Sequence, residues 1–157
     1  MSLDFEPTDS GMTVTAGPGE MAILGALPEF LVSIDGSGDE VARLHPPAYP
    51  ADDRAEAEFQ RLVAGDLDAM RRADASQLAE IIRLLGQGPA EIDIGQAEAM
   101  LRGVGTARIA LAARSGLFDL PELPEHPMTP QHTLVQFLGF VQESLVEALS
   151  YRLDVTR

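Results

Sequence analysis

The chain has no cysteine and no tryptophan, and all eleven of its basic residues are arginine, so lysine is absent as well. Without cysteine there is no disulfide framework, no thiol nucleophile and no thiolate metal site. Without lysine, Schiff-base chemistry and a P-loop lysine are excluded. Positive charge is scarce: 25 acids face 11 arginines, for a net charge of −14. The imbalance is lopsided, because residues 1–60 hold twelve of the acids and only two of the arginines. A duplex phosphate surface or an anionic membrane repels such a chain, so neither nucleic acid nor membrane is expected as a partner. The acidity serves solubility, or it forms an N-terminal face for a basic partner. No apolar run approaches ~18 residues and Met1-Ser2-Leu3-Asp4 lacks the basic start of a secretory signal. A cytoplasmic location is expected.

Catalytic motifs are missing too. His45, His126 and His132 are the only histidines, and none has metal-ligand spacing. Gly17-x-Gly19 lacks the rest of a dinucleotide fingerprint. Ser144 has no nearby base, and Asp66 and Asp68, two apart, point to different faces of a helix. No catalytic residue, cofactor or metal is expected, and the chain leans away from being an enzyme.

What is present is helical periodicity. At 157 residues the chain suits one domain with a real core. Leu3-Asp4-Phe5-Glu6 and Met12-Thr13-Val14-Thr15 alternate around turn residues, which predicts a small β hairpin over 1–16. Apolar residues at three-and-four spacing predict main helices over 18–34, 53–85, 96–115 and 130–152. Pro28 should kink or break the first. Glu40 to Leu44 adds a short turn. Asp53 is the expected N-cap of the second main helix, with Glu56 in capping-box spacing. Ile92-Asp93-Ile94 is either a third strand or a hydrophobic staple for the next helix. Residues 117–129, with Pro121, Pro124 and Pro127, form an extended connector or a lid. Thr129 caps the last helix and Pro130 opens it. That helix is so apolar that it is the centre of the bundle or, through residues 134–149, half of a homodimer interface. The fold expected is mostly α: a single-domain bundle of about five helices with a small N-terminal hairpin.

Two features stand out against this frame. The stripe Val63, Leu67, Met70, Asp74, Leu78, Ile81, Leu85 carries one charge, and so does Ala97, Leu101, Val104, Arg108, Leu111, Ser115. Asp74 lies about 12 residues before Gly86 and Arg108 about 12 residues after Gln96, so the two stand at equal height in an antiparallel helical hairpin, ~18 Å along each axis. They either form a buried pair that sets the register or reach water at the edge of each stripe. The second feature is the proline block, in which Tyr49 sits between Pro46-Pro47 and Pro50. Tyr49 is either a rigid contact for a partner, with Pro47 and Pro50 beside it, or a plug between helices.

The block Arg43-Leu44-x-Pro46-x-Ala48-Tyr49-Pro50, followed by Ala57-Glu58-Phe59-x-Arg61-Leu62 and Asp66-Leu67, resembles a family of uncharacterised actinobacterial proteins. So do the stretches Leu101-Arg102 through Ala107-Arg108-Ile109-Ala110-Leu111 to Gly116, and Leu138-x-x-x-Gln142-Glu143-Ser144-Leu145-Val146-Glu147-Ala148-Leu149. The family is a domain of unknown function often encoded beside the Clp protease adaptor ClpS. His45, Met100, Val135 and Phe137 depart from its stronger aromatics. The resemblance implies a cytoplasmic setting near Clp-dependent proteolysis and no known chemistry. A non-enzymatic interaction or regulatory protein with a protein partner is the leading expectation. The alternatives are a transcription regulator acting through protein contacts, and an enzyme or small-ligand-binding bundle with an unrecognised site.

Overall fold

Alternation of apolar and polar residues produces the expected hairpin, β1 (Leu3–Pro7) and β2 (Gly11–Ala16), in the computed structural model, which describes residues 2–34, 39–122 and 125–155. The patch after the long helix is a true third strand, β3 (Ala90–Asp93), antiparallel to β2, giving the order β1-β2-β3. Leu3, Phe5, Met12, Val14, Ala90 and Ile92 are all buried on one face of this sheet. That face settles the pairing, since a two-stranded hairpin alone is marginal. The helices close it: α5 packs on β1, while α3 and α4 pack on β2 and β3.

Helix α1 (Pro18–Ser33) runs through Pro28 without the break that proline alone suggests. An interior proline costs about 3 kcal/mol. Burial of Leu24, Leu27 and Leu31, at roughly 1.5–3 kcal/mol each, outweighs it. The short α2 (Asp39–Leu44) leads to the proline block, and α3 (Asp53–Leu85) follows, 33 residues long and continuous through Gly65. Its cap is Asp52 rather than Asp53: the Asp52 carboxylate accepts from the Ala55 N–H at 3.0 Å, which leaves Glu56 for another task. Only the second half of α3 joins the core, through Ala75, Leu78, Ile81 and Leu85. Leu62 in its first half and Met70 at its middle are more than half exposed, at 61% and 56%.

Helix α4 (Ile94–Arg114) starts two residues before its expected position, because Asp93 ends β3 and caps the helix in one step. Its side chain accepts from Gln96 N–H at 2.8 Å, and Gln96 Oε1 accepts from Asp93 N–H at 3.0 Å. Gly116, with φ of 73°, ends the helix in the left-handed region that favours glycine, and a 3-10 turn, Leu117–Asp119, follows. Of the proline-rich connector, residues 123 and 124 lie outside the described residues. The last helix, α5 (Pro130–Val155), is capped as expected, Thr129 Oγ1 accepting from His132 N–H at 3.2 Å. Val141 and Leu145 are fully buried, while Phe140, Val146 and Tyr151 are exposed. Among the described residues no helix is long and apolar enough to cross a membrane.

The expected Asp74–Arg108 pair is replaced by another. Asp74 holds Arg102, with Nη2 at 2.9 Å from Oδ1 and Nε at 3.2 Å from Oδ2. Arg108 instead donates to Gln142 Oε1 on α5 at 3.1 Å. Two physical facts explain the correction. The strand β3 stands between α3 and α4, so heights counted from a simple turn do not apply. In addition, α4 buries Met100, Gly103, Val104, Ala107 and Ala110, a face of small residues rotated away from Arg108. The Arg102 side chain is 52% exposed and that of Asp74 14%, so the pair sits at the edge of the helices with its arginine in water and its carboxylate the more buried partner.

Candidate functional site

The proline block is fastened to the start of α3 by several contacts. Tyr49 N–H donates to Glu56 Oε2 at 2.8 Å. Tyr49 C=O accepts from Asp52 N–H at 3.2 Å. Its ring meets Phe59 edge-on, with centroids 6.1 Å apart at 72°, a favourable aromatic geometry. Glu56 Oε1 also accepts from Gln60 Nε2 at 2.8 Å. These two bonds, Gln60 first and the Tyr49 amide second, hold the Glu56 carboxyl below its ordinary range. Tyr49 is nevertheless 50% exposed, and Pro47 and Pro50 are exposed with it. It does not plug the space between helices. The aromatic is held in place from below and open above.

Beneath the block lies an arginine that sequence reasoning missed. The Arg71 side chain is only 9% exposed. Its Nη2 donates to the Ile34 carbonyl, the end of α1, at 3.1 Å and to Asp68 Oδ1 at 3.0 Å. Asp68 also receives Arg72 Nε at 2.9 Å. The only local signal is the Asp68–Arg71 spacing; the partner at Ile34 is 37 residues away in sequence. Arg71 and burial together push the His45 imidazole below its ordinary 6.5, burial being the larger cause. Below about pH 6.5 the unfolded chain takes up a proton that folded His45 resists, so stability falls with pH until the folded value is passed. A His45→Gln variant is expected to lose that slope, measured as thermal midpoints between about pH 7.5 and 5.5. An unchanged slope would show that His45 contributes nothing to it.

The remaining candidates have local roles. His132 is 7% exposed, and its Nδ1 accepts from Met128 N–H at 3.4 Å. His126 and Asp66 are exposed on the surface. Among the described residues no three His, Cys, Asp or Glu are grouped to hold a metal. An apolar crevice of about 230 Å³ opens between α1, α4 and α5, lined by residues including Leu27, Phe30, Ala107, Leu111 and Leu138. Among the described residues its lining is wholly apolar, so it could receive an apolar molecule.

Arg43, Tyr49, Phe59 and Leu62 thus fall on the α2–α3 segment and the projecting half of α3. No curated protein and no solved structure matches the chain. A family model described as a domain of unknown function (DUF2017) matches residues 3–149. The match runs from the first strand through most of α5, and on that extent the chain belongs to the DUF2017 family.

Proposed function

We propose that this chain is a non-enzymatic interaction protein that captures a protein partner through the proline block and the first half of α3. The supporting observation is a rigid apolar surface without core duty: Tyr49, Leu62 and Met70 are each at least half exposed, on a segment whose backbone is pinned by Glu56 and Asp52. A preorganised aromatic loses little entropy on binding, which is how a small contact gains affinity. The setting proposed is the cytoplasm of an actinobacterium, near ClpS and Clp-dependent proteolysis, with no nucleic acid or membrane partner.

Tyr49→Ala is expected to cut partner recovery about tenfold or more, a loss of ~1.4 kcal/mol or more in binding. The thermal midpoint should barely move, because the ring is half exposed. The measurement is affinity capture from native cytoplasm with quantitative mass spectrometry, beside a melt of the variant. A large fall in midpoint would make Tyr49 a structural residue and remove the proposal. Recovery of transcription proteins in place of Clp components would favour a regulator acting through protein contacts. Saturable uptake of an apolar fluorophore, abolished by Ala107→Phe, would favour a ligand-binding bundle.

A further inference from the structure

The sheet leaves one strand edge open. β1 is bonded to β2 and lies at the end of the strand order. The bonds Gly17 N–H to Ser2 O at 2.7 Å and Thr8 N–H to Gly11 O at 3.0 Å bracket the hairpin and fix its phase. With antiparallel alternation, Ser2, Asp4, Glu6 and Thr8 face β2, so Leu3, Phe5 and Pro7 turn their backbone groups outward. Leu3 and Phe5 offer N–H and C=O, and Pro7 offers C=O only. Among the described residues no strand takes up these groups. A groove of about 340 Å³ lies beside them, between the β1 edge and α5, lined by residues including Leu3, Phe5, Phe140, Ser144, Glu147 and Tyr151. Phe140 and Tyr151 are 38% and 61% exposed. Asp4 and Glu6 stand exposed on the outer face of the strand, and among the described residues that line the groove there is no arginine.

An open edge with aromatic and acidic walls suits an added strand. Charge selects the occupant. A second copy on the same edge brings Asp4 and Glu6 against another Asp4 and Glu6, and like charges directly opposite are unfavourable. A strand with arginine or lysine at alternate positions sets those cations opposite Asp4 and Glu6. Its intervening side chains turn to the other face, toward Phe140 and Tyr151. We propose that the β1 edge and α5 form a docking groove for an extended peptide of alternating basic and apolar residues, which adds as a fourth strand. This surface goes beyond the one built around Tyr49 and does not depend on it.

The probe is a labelled seven-residue peptide alternating arginine and valine, titrated against the full chain by fluorescence anisotropy at physiological salt. Saturable binding is expected, with none for the glutamate–valine counterpart. Two further peptides carry N-methyl groups on the odd or on the even amides. One should lose about tenfold or more in affinity and the other little, since only one set faces the strand. The surface double variant Asp4→Lys, Glu6→Lys should also lose about tenfold or more, whereas Tyr49→Ala should bind as the parent does. No binding overturns the proposal. Equal affinity of the two N-methylated peptides overturns it as well, because that is general attraction of an acidic chain for cations. A concentration-dependent dimer that excludes the peptide assigns the edge to a second copy instead.

Discussion

Gly11→Ala is expected to destabilise the fold by about 3 kcal/mol, the upper range for overpacking where the neighbour cannot yield. Gly11 pairs with Asp93 across β2 and β3. A Cβ there would overlap the Ile92 carbonyl oxygen and stand 2.8 Å from Asp93 Cα. Both obstacles are backbone, so relief requires the strands to part. The damage would spread, because Asp93 also caps α4. Gly65→Ala is the control: Gly65 lies inside α3 with nothing within 4 Å of a Cβ, so alanine should stabilise by roughly 0.5–1 kcal/mol through helix propensity. Urea denaturation of both variants reads the contrast. A Gly11→Ala protein as stable as the parent would mean that the β2–β3 pairing is not as close as described.

Leu78→Ala is expected to cost about 2–5 kcal/mol, the range for a buried leucine that leaves a cavity. Leu78 is fully buried where α1, α3 and α4 meet. Gly103 of α4 lets the helices approach there: a Cβ on it would lie 3.4 Å from Leu31 Cδ1 and 3.7 Å from Leu78 Cδ2. Leu62→Ala, the same change four turns earlier on the same helix, should move stability by no more than about 0.5 kcal/mol, as an exposed substitution does. Equilibrium unfolding of the two variants tests whether α3 has a core half and a projecting half. Equal losses would refute that division.

Most helices are legible in this chain because periodicity and helix-end chemistry agree, as for Thr129 with Pro130 and the leucines of α1 and α5; the Asp93–Gln96 box that starts α4 is not, because Asp93 also ends β3. The hairpin is legible from alternation around Pro7–Gly11. The inner face of α4 is harder to read, because Gly103, Ala107 and Ala110 carry little hydrophobic signal yet are buried. Small residues there allow close backbone approach, and larger neighbours such as Leu101 and Leu111 are displaced to the margin. That rotation is why Arg108 reaches Gln142 and Arg102 takes Asp74. At the candidate surface, the proline block marks Tyr49 as unusual, and only three-dimensional packing decides that it is exposed. Arg71 at the Ile34 carbonyl and the open edge of β1 depend on long-range placement that local patterns do not encode.

The third strand also fixes an order of events during synthesis. β2 ends at Ala16 and β3 begins at Ala90. At about 5–20 residues per second, a ribosome needs roughly 4–15 s to make the intervening stretch. For that interval the nascent hairpin lacks its outer strand, and α4 and α5, which also cover it, are made later still. Met12 and Val14, both fully buried in the finished protein, are then bare apolar side chains on a marginal ribbon. Both edges of that ribbon are open to other chains, which makes the hairpin a segment exposed to mispairing while the protein is being made.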